Sequence, residues 1–393
     1  MRTGKRENHF LHDFLRMARV RELQTARDAG LLTDAEFQAA TESLTSSDAP
    51  SFSCAAGPFE ANSYKGPSCA ASSWTIHYPV EEKRSGTARL LLPSVILVPG
   101  WVCGEGALLA WGSFLASHGF VAMTIGTKSP ARDMPPHRAA ALLAAAATLR
   151  RENDRHDAPV AGRVDMGRVA FMGYSLGGGG VLISAGAAAA AGDPFPKAVV
   201  ALAPHAGIGI ECPDFVKRHV ETNSKVPVLI ICGDEDKQAP HNAFSRPMYE
   251  GIPSGTPKMF FQVRGGDHGV VNGPAGTGTL QKFVPLLDCL ACHLCALCCW
   301  PPCFQRCWAL NRPVGKHTDV DATTAAATGS GAIGGVAVAW LKLFLNGDET
   351  QRAVLSEPRS SPTSASAFET NLNVVQSNDS REVKVVDLSE ASC

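Results

Sequence analysis

Residues 173–177 read Gly-Tyr-Ser-Leu-Gly, and this pentapeptide most constrains what the chain can fold into. It follows a largely apolar run at 168–172 and precedes small residues from Gly178 to Ala191. A buried strand, a tight turn and a helix are therefore predicted in that order, with Ser175 on the turn. Glycines two residues to either side leave room for the strained backbone, so the serine hydroxyl stands exposed beside N–H groups that can hold a negative charge. The alternative is an ordinary turn serine after a core strand.

The middle of the chain alternates between predicted strands and helices. Strands are expected at 74–80, 88–92, 95–98, 120–125, 168–172, 198–202, 226–232 and 259–263, the first two of them antiparallel. Helices are expected at 108–117, 138–151, directly after Ser175, and at 334–345. Such alternation is typical of a mostly parallel, doubly wound sheet flanked by helices on both faces. The order of elements is that of the α/β-hydrolase fold.

Two later strands end in groups that could work with Ser175. The strand at 226–232 is followed by three carboxylates, Asp234, Glu235 and Asp236, and the last strand by Asp267 and His268. Catalytic groups of doubly wound sheets lie at the carboxyl edge, and the chain order serine, acid, histidine fits this fold. His268 would take the proton of Ser175, and an acid would orient the imidazole. Spacing alone does not decide among the three carboxylates. Asp267 is expected to face away from its neighbour His268.

Several blocks, in order, resemble the bacterial cutinase and polyester hydrolase family, which includes enzymes that act on poly(ethylene terephthalate). The blocks are residues 95–101, 111–125, 163–180, 236–240, 266–268 and 336–348. The resemblance implies a serine carboxylic-ester hydrolase that works through an acyl-enzyme without a cofactor. It implies Ser175, Asp236 and His268 as the triad. It also implies an oxyanion hole formed by the backbone N–H groups of Trp101 and Leu176.

Three side chains are candidate substrate-binding residues. Trp101 is expected to line an acyl-binding cleft, although it could instead pack against the first helix. Tyr174 is expected to pack under the turn more than to contact substrate. His205 follows Ala-Pro at a position where the family often carries a larger aromatic residue. Short to medium acyl esters are therefore the expected substrates, with weak hydrolysis of crystalline aromatic polyester at best.

Other functions and locations remain open at this point. A dienelactone-hydrolase-like or lipid acyl-ester hydrolase is one alternative, and a catalytically idle, membrane-tethered interaction module is another. The formal net charge of -1 gives no reason to expect a nucleic-acid partner, which leaves a small-molecule or lipid ester as the ligand. The chain starts without the apolar region of a signal peptide and contains no run of about 18 apolar residues. A cytoplasmic or peripheral membrane location is therefore expected.

Seven of the 13 cysteines lie between Cys289 and Cys307. Three interpretations compete for this segment. Acylation of the cysteines would give peripheral membrane association. Zinc binding would use the Cys-x-x-Cys pairs, with ligands drawn from Cys292, Cys295, Cys298 and Cys299. The third is an idle or disulfide-paired insertion.

The two ends of the chain differ in composition from the middle. Residues 1–45 are predicted to form a helical hairpin, because Thr33 and Glu36 have capping-box spacing. Within it, the stretch from Val20 to Leu44 resembles SHOCT domains. A linker is expected over 46–66, and the hydrolase domain over 67–349 with a cysteine-rich insertion at about 287–332. Residues 350–393, rich in Ser, Pro and charge, are predicted to be a disordered tail.

Overall fold

The computed structural model describes residues 55–356 with gaps at 67–72, 81–90, 193–194, 208–210 and 277–331, and in addition the backbone of 365–371. Before residue 55 it describes only Gln24 and Arg27. The chain divides into two compact units, Met1–Ser51 and Phe52–Cys393. Apart from Gln24 and Arg27, the predicted N-terminal hairpin lies outside the described residues, as does the cysteine-rich segment. The fold below is that of the second unit.

A nine-stranded sheet forms the centre of this unit. Its strands are β1 (Ala61–Lys65), β2 (Trp74–Pro79), β3 (Leu92–Val98), β4 (Val121–Ile125), β5 (Val164–Tyr174), β6 (Ala198–Leu202), β7 (Val228–Gly233), β8 (Lys258–Val263) and β9 (Ala365–Asn371). They are arranged in the order β1-β2-β4-β3-β5-β6-β7-β8-β9. The strands from β4 to β8 in this arrangement run parallel, whereas β1, β2 and β9 are antiparallel additions at the edges.

Helices cover both faces of the sheet. They are α1 (Leu109–Ser117), α2 (Pro135–Asp154), α3 (Leu176–Ala191), α4 (Glu211–Thr222), α5 (Ser245–Gly251), α6 (Ile333–Asn346) and α7 (Thr350–Ser356), with 3₁₀ turns at Glu105–Leu108 and His268–Val271. Core side chains of α2, α3, α4 and α5 pack on one face. Those of α1 and α6 pack on the other.

Strand β3 shows how the sequence divides its side chains between these two layers. Ile96 and Val98 pack with the first layer, whereas Val95 and Leu97 pack with the second. Successive residues of a strand point to opposite faces, so a strand buried on both faces must be apolar throughout. This arrangement confirms the predicted fold class.

The structure corrects the sequence prediction at three places. Residues 61–65 of the predicted linker form strand β1, which pairs with β2. Leu92, predicted to end an antiparallel strand, instead begins β3 and pairs with Val164 of the parallel strand β5. The register of this pairing shifts between Leu92 and Ser94, at Pro93, which cannot donate a backbone hydrogen bond. The predicted disordered tail contains α7, where Asp348 accepts from the amide of Thr350 and Leu355 is fully buried. It also contains β9, which pairs with the open edge of β8.

Candidate active site

Ser175 lies on the sharp turn between β5 and α3. Its backbone has φ 57° and ψ −117°, a conformation that residues other than glycine rarely adopt. Glycine is required on either side because a β-carbon at Gly173 would overlap the backbone of Gly177. A β-carbon at Gly177 would lie 2.7 Å from the carbonyl oxygen of Pro99. The strand, turn and helix therefore follow in the predicted order.

Neighbouring loops hold the turn through backbone hydrogen bonds. The amide of Ser175 donates to the carbonyl of Leu202 at 2.8 Å, and its own carbonyl accepts from the amide of His205 at 2.9 Å. In the described part of the chain, the non-glycine residues with positive φ are Val102, Ser175 and Ala203. All three follow the carboxyl ends of neighbouring strands. Such strain clusters at functional sites because the surrounding structure must hold it.

The loop after β7 separates its three carboxylates. The Asp236 side chain is buried, and its Oδ1 accepts from the amides of Gln238 (2.9 Å) and Ala239 (2.8 Å). By contrast, Asp234 accepts from the amide of Gly265, and Glu235 is exposed. Only Asp236 of the three directs its second oxygen to a histidine.

Asp236 and His268 form a buried pair. Oδ2 of Asp236 lies 2.7 Å from Nδ1 of His268, and both residues are at most 5% exposed. Burial alone would raise the pKa of Asp236, but the imidazole of His268 and two backbone amides outweigh it and hold that pKa below its ordinary value. An ionised Asp236 makes Nδ1 the donor, which leaves Nε2 of His268 for proton transfer.

Three neighbours fix the position of His268. Asp267 accepts from the amides of residues 269 and 270, so its side chain caps the 3₁₀ turn. The indole of Trp111 donates to the carbonyl of Val271 at 3.0 Å, and the hydroxyl of Tyr174 donates to the carbonyl of His268 at 3.2 Å. The ring of Tyr174 also lies 5.0 Å from that of His268. Tyr174 is buried and supports the histidine, in line with packing under the turn.

One candidate oxyanion amide, that of Trp101, lies on the loop after β3, and the other, that of Leu176, directly follows Ser175 in the chain. A β-carbon at Gly100 would lie 2.9 Å from Cβ of Ser175, so the two segments are in contact there. Leu176 opens α3, and the first amides of a helix have no intrahelical partner. Among the described residues, no backbone carbonyl accepts from the amide of Trp101. Both amides are thus available to a ligand oxygen.

Trp101 and His205 are held in fixed positions near this turn. The indole of Trp101 donates to the carbonyl of Ala131 at 2.8 Å, and the residue is partly exposed. The ring of His205 stacks on Phe244 with centroids 4.2 Å apart, and its Nδ1 accepts from the amide of Gly207. Burial and repulsion by His268 lower the pKa of His205 to about 4 against the opposing effect of Asp236. His205 is therefore neutral at pH 7.

Two further residues of the site did not emerge from the sequence. Phe244, the stacking partner of His205, is the first, and no local pattern marks it. Arg138 is the second: it is fully buried and donates to the carbonyl of Pro99 in the loop after β3. Its spacing from Leu142 and Leu149 places it on the buried face of α2, a signal that the sequence does contain.

The described residues can be searched for a metal site and for a membrane-spanning helix. Within the described residues there is no group of three or more His, Cys, Asp or Glu side chains placed to hold a metal ion. The cysteines of the zinc alternative lie outside the described residues. None of the described helices combines the length and apolarity that a membrane span requires.

Comparison with known proteins places this geometry in a family. The model of the PET hydrolase-like family matches residues 38–286, which is more than half of the chain. The chain belongs to the PET hydrolase-like family. This match ends just before the predicted cysteine-rich insertion at about 287.

Characterised relatives of this PET hydrolase-like chain include cutinases. Cutinase 1 of Thermobifida cellulosilytica is 34% identical over 241 residues, which cover 58% of this chain and 80% of that protein. A cutinase of Thermobifida fusca is also 34% identical, over 58% of this chain and 70% of its own length. A bis(hydroxyethyl) terephthalate hydrolase of Streptomyces coelicolor is 30% identical, over 61% of this chain and 71% of its own length.

Proposed function

We propose that Ser175, His268 and Asp236 form the catalytic triad of this chain. As a PET hydrolase-like protein related to cutinases, it is a serine carboxylic-ester hydrolase. The observation that carries the residue assignment is the buried 2.7 Å contact between Asp236 and His268 at the sheet edge where Ser175 stands on its strained turn. A histidine so oriented, at the same sheet edge as a serine on a strained turn, is the arrangement that nucleophilic ester hydrolysis requires.

The reaction runs in two halves. Nε2 of His268 takes the hydroxyl proton of Ser175 as the serine oxygen bonds to the ester carbonyl carbon, and the carbonyl oxygen becomes an oxyanion. The N–H groups of Trp101 and Leu176 stabilise that oxyanion, an effect worth about 3–4 kcal/mol for a well-placed donor. The intermediate then expels the alcohol, which receives the proton of His268, and leaves an acyl-enzyme. Water repeats the sequence and releases the acid.

The proposed substrates are esters of short or medium acyl chains. Flat aromatic polymers need wide aromatic surfaces, since stacked rings contribute about 0.5–1.5 kcal/mol beyond area burial. Trp101 can supply one such surface. The second candidate, His205, offers a small ring that is already stacked on Phe244. Soluble monomeric esters therefore fit this site better than crystalline polyester.

The test is a comparison of p-nitrophenyl esters from C2 to C12 with product release from a polyester film. We expect the highest kcat/KM at short or medium chains and slow film hydrolysis, which His205→Trp should accelerate. Ser175→Ala defines the background, and Ser184→Ala, which removes a buried hydroxyl from the same helix, is the matched control. Rapid film hydrolysis by the unmodified protein would contradict the proposed substrate range. Activity of Ser175→Ala close to that of Ser184→Ala would contradict the triad.

A further inference from the structure

We infer that Arg138 is a positioning residue that holds the oxyanion amide of Trp101 in place. Two loops meet above the end of β3: residues 99–103, here called the oxyanion loop, and residues 126–134, here called the flanking loop. Arg138 lies in the first turn of α2, directly after the flanking loop. This inference rests on the proposed function, since it assigns a task to a residue behind the same oxyanion hole.

The guanidinium of Arg138 bonds to both loops. Its Nη1 donates to the carbonyl of Pro99 at 2.8 Å, and its Nη2 donates to the carbonyl of Pro130 at 3.0 Å. The planar guanidinium presents its donors in a fixed fork, so these two bonds set the separation of the two carbonyls. The oxyanion loop and the flanking loop are thereby joined through one side chain.

Two more hydrogen bonds lie in the same place and involve the oxyanion loop itself. The carbonyl of Pro130 also accepts from the amide of Val102 at 3.0 Å. The carbonyl of Ala131 accepts from the indole of Trp101 at 2.8 Å. Trp101 is thus bracketed by contacts to the flanking loop, and Arg138 holds the peptide that precedes Gly100. The direction of the Trp101 amide depends on these contacts.

The setting of Arg138 indicates a task beyond filling space. The residue is fully buried, and among the described residues no carboxylate forms an ion pair with it. Burial lowers its pKa to about 10, with Asp133 and Cys103 opposing, so the group is still charged at neutral pH. A buried, charged side chain is unfavourable unless its hydrogen bonds compensate. Here those bonds go to the oxyanion and flanking loops.

Helix packing leaves Arg138 little freedom. A β-carbon at Gly180 in α3 would lie 3.0 Å from Cβ of Arg138, so α2 and the helix that carries Leu176 are in close contact at this point. The fork therefore projects from a fixed base towards Pro99. A lysine at this position keeps the charge but replaces the planar fork by a point donor on a flexible stem.

The experiment compares Arg138→Lys and Arg138→Met with Arg163→Lys. Arg163 is the matched control because it is also buried and also donates to a proline carbonyl, that of Pro79 at 2.9 Å. It directly precedes β5, whose other end leads into Ser175. Active sites are titrated with a fluorophosphonate, so that kcat is expressed per competent molecule even where a variant folds poorly.

Removal of one oxyanion donor lowers kcat by about 10²–10³-fold in a comparable site. In Arg138→Lys the donor is displaced and not removed, so we expect kcat to fall by about 10-fold. KM should change little. The inhibition constant of a trifluoromethyl ketone, which forms a tetrahedral adduct with the serine, should rise by a similar factor. Arg163→Lys should keep the kcat and the inhibition constant of the wild type.

Two results would contradict the inference. The first is an unchanged kcat per titrated site and an unchanged inhibition constant in both Arg138 variants, which would leave Arg138 a purely structural role. The second is an equal loss in Arg163→Lys. If the wild type itself fails to react with the fluorophosphonate, the proposed function is wrong, and the inference fails with it.

Discussion

Asp236 is the residue on which the electrostatics of the site converge. Burial disfavours its charge, yet two backbone N–H groups and the Nδ1 proton of His268 satisfy its two oxygens. The net effect lowers the pKa of Asp236. The charged carboxylate is therefore favoured, and it fixes the tautomer of His268.

The first prediction separates Asp236 from its neighbour Asp234. Asp236→Asn should lower kcat by about 10⁴-fold, because the amide cannot hold the required tautomer of the histidine. Asp234→Asn is the matched control, since its remaining side-chain oxygen can still accept from the amide of Gly265. Steady-state hydrolysis of p-nitrophenyl butyrate measures both. If Asp234→Asn is the impaired variant and Asp236→Asn is close to normal, the acid has been assigned wrongly.

A second residue-scale prediction concerns His205 and pH. Burial and the repulsion from His268 lower the pKa of His205 to about 4 in the folded protein, although Asp236 opposes this. In the unfolded chain the pKa is about 6.5. Between these values the unfolded chain binds a proton that the folded chain does not, so the free energy of unfolding decreases as pH falls from about 6.5 to 4. The contribution of His205 to that decrease is at most about 3 kcal/mol.

The measurement is denaturant unfolding between pH 7.5 and 4.5, for wild type and for His205→Phe. The phenylalanine can keep the ring stack on Phe244 but does not titrate. The free energy of unfolding of His205→Phe should therefore decrease less than that of the wild type as the pH falls from 7.5 to 4.5. Equal losses would mean that His205 binds its proton alike in the folded and unfolded states.

At the scale of elements, the turn between β5 and α3 depends on how closely β3 approaches it. A β-carbon at Gly177 would overlap the carbonyl of Val98 and lie 2.7 Å from that of Pro99. Both obstacles are backbone, so neither can rotate away. The third prediction is that Gly177→Ala lowers the free energy of unfolding by about 1–3 kcal/mol and also lowers kcat.

Gly255→Ala is the control for this prediction. Gly255 has no atom within 4 Å of a built β-carbon, and its substitution should change the free energy of unfolding by no more than about 0.5 kcal/mol. Denaturant unfolding and ester hydrolysis are measured on both variants. A Gly177→Ala protein as stable and active as the Gly255 variant would show that the turn does not need the close approach.

The same elements show what the sequence can and cannot predict. The β5-turn-α3 segment was predictable because apolar and small-residue runs flank the motif. The bounds of β6 agree with those predicted, since all its residues are buried. Strand β1 was not predictable: its residues are partly or fully exposed, and pairing with β2 rather than an apolar pattern defines it. Spacing did not separate Asp236 from Asp234 because only the path of the loop after β7 distinguishes them.

At the scale of the whole molecule, two residues that are far apart in the sequence, Pro274 and Gly334, are in contact. The amide of Gly334 donates to the carbonyl of Pro274 at 3.0 Å, and a β-carbon at Gly334 would lie 3.0 Å from Cβ of Pro274. Residues 277–331, which contain the cysteine-rich segment, lie between these two contacts. The described fold is therefore joined directly between Pro274 and Gly334.

The fourth prediction is that replacement of residues 277–331 by a short Gly-Ser linker leaves ester hydrolysis intact. Long insertions between adjacent ends contribute little to stability, and a shorter loop costs less entropy to close. We propose that the segment instead governs location through acylated cysteines. The shortened protein should therefore leave the membrane fraction of cells that express it, with kcat/KM on p-nitrophenyl butyrate unchanged.

A variant with all seven cysteines between Cys289 and Cys307 replaced by serine is the control that keeps the length of the chain. It should leave membranes as the shortened protein does. If the shortened protein stays with membranes, another part of the chain binds them. Stoichiometric zinc in the purified full-length protein, with unfolding by a chelator, would favour the metal alternative. A folded but inactive shortened protein would assign the segment to catalysis.

The most direct test of the central claim is to identify the residue that forms the covalent intermediate. The protein is treated with a fluorophosphonate, digested, and the modified peptide is sequenced by mass spectrometry. We predict a single adduct on Ser175, loss of the adduct in Ser175→Ala, and its retention in Ser184→Ala. A stable adduct on another residue, or none on a wild-type protein that hydrolyses esters, would contradict the assignment of Ser175 as the nucleophile.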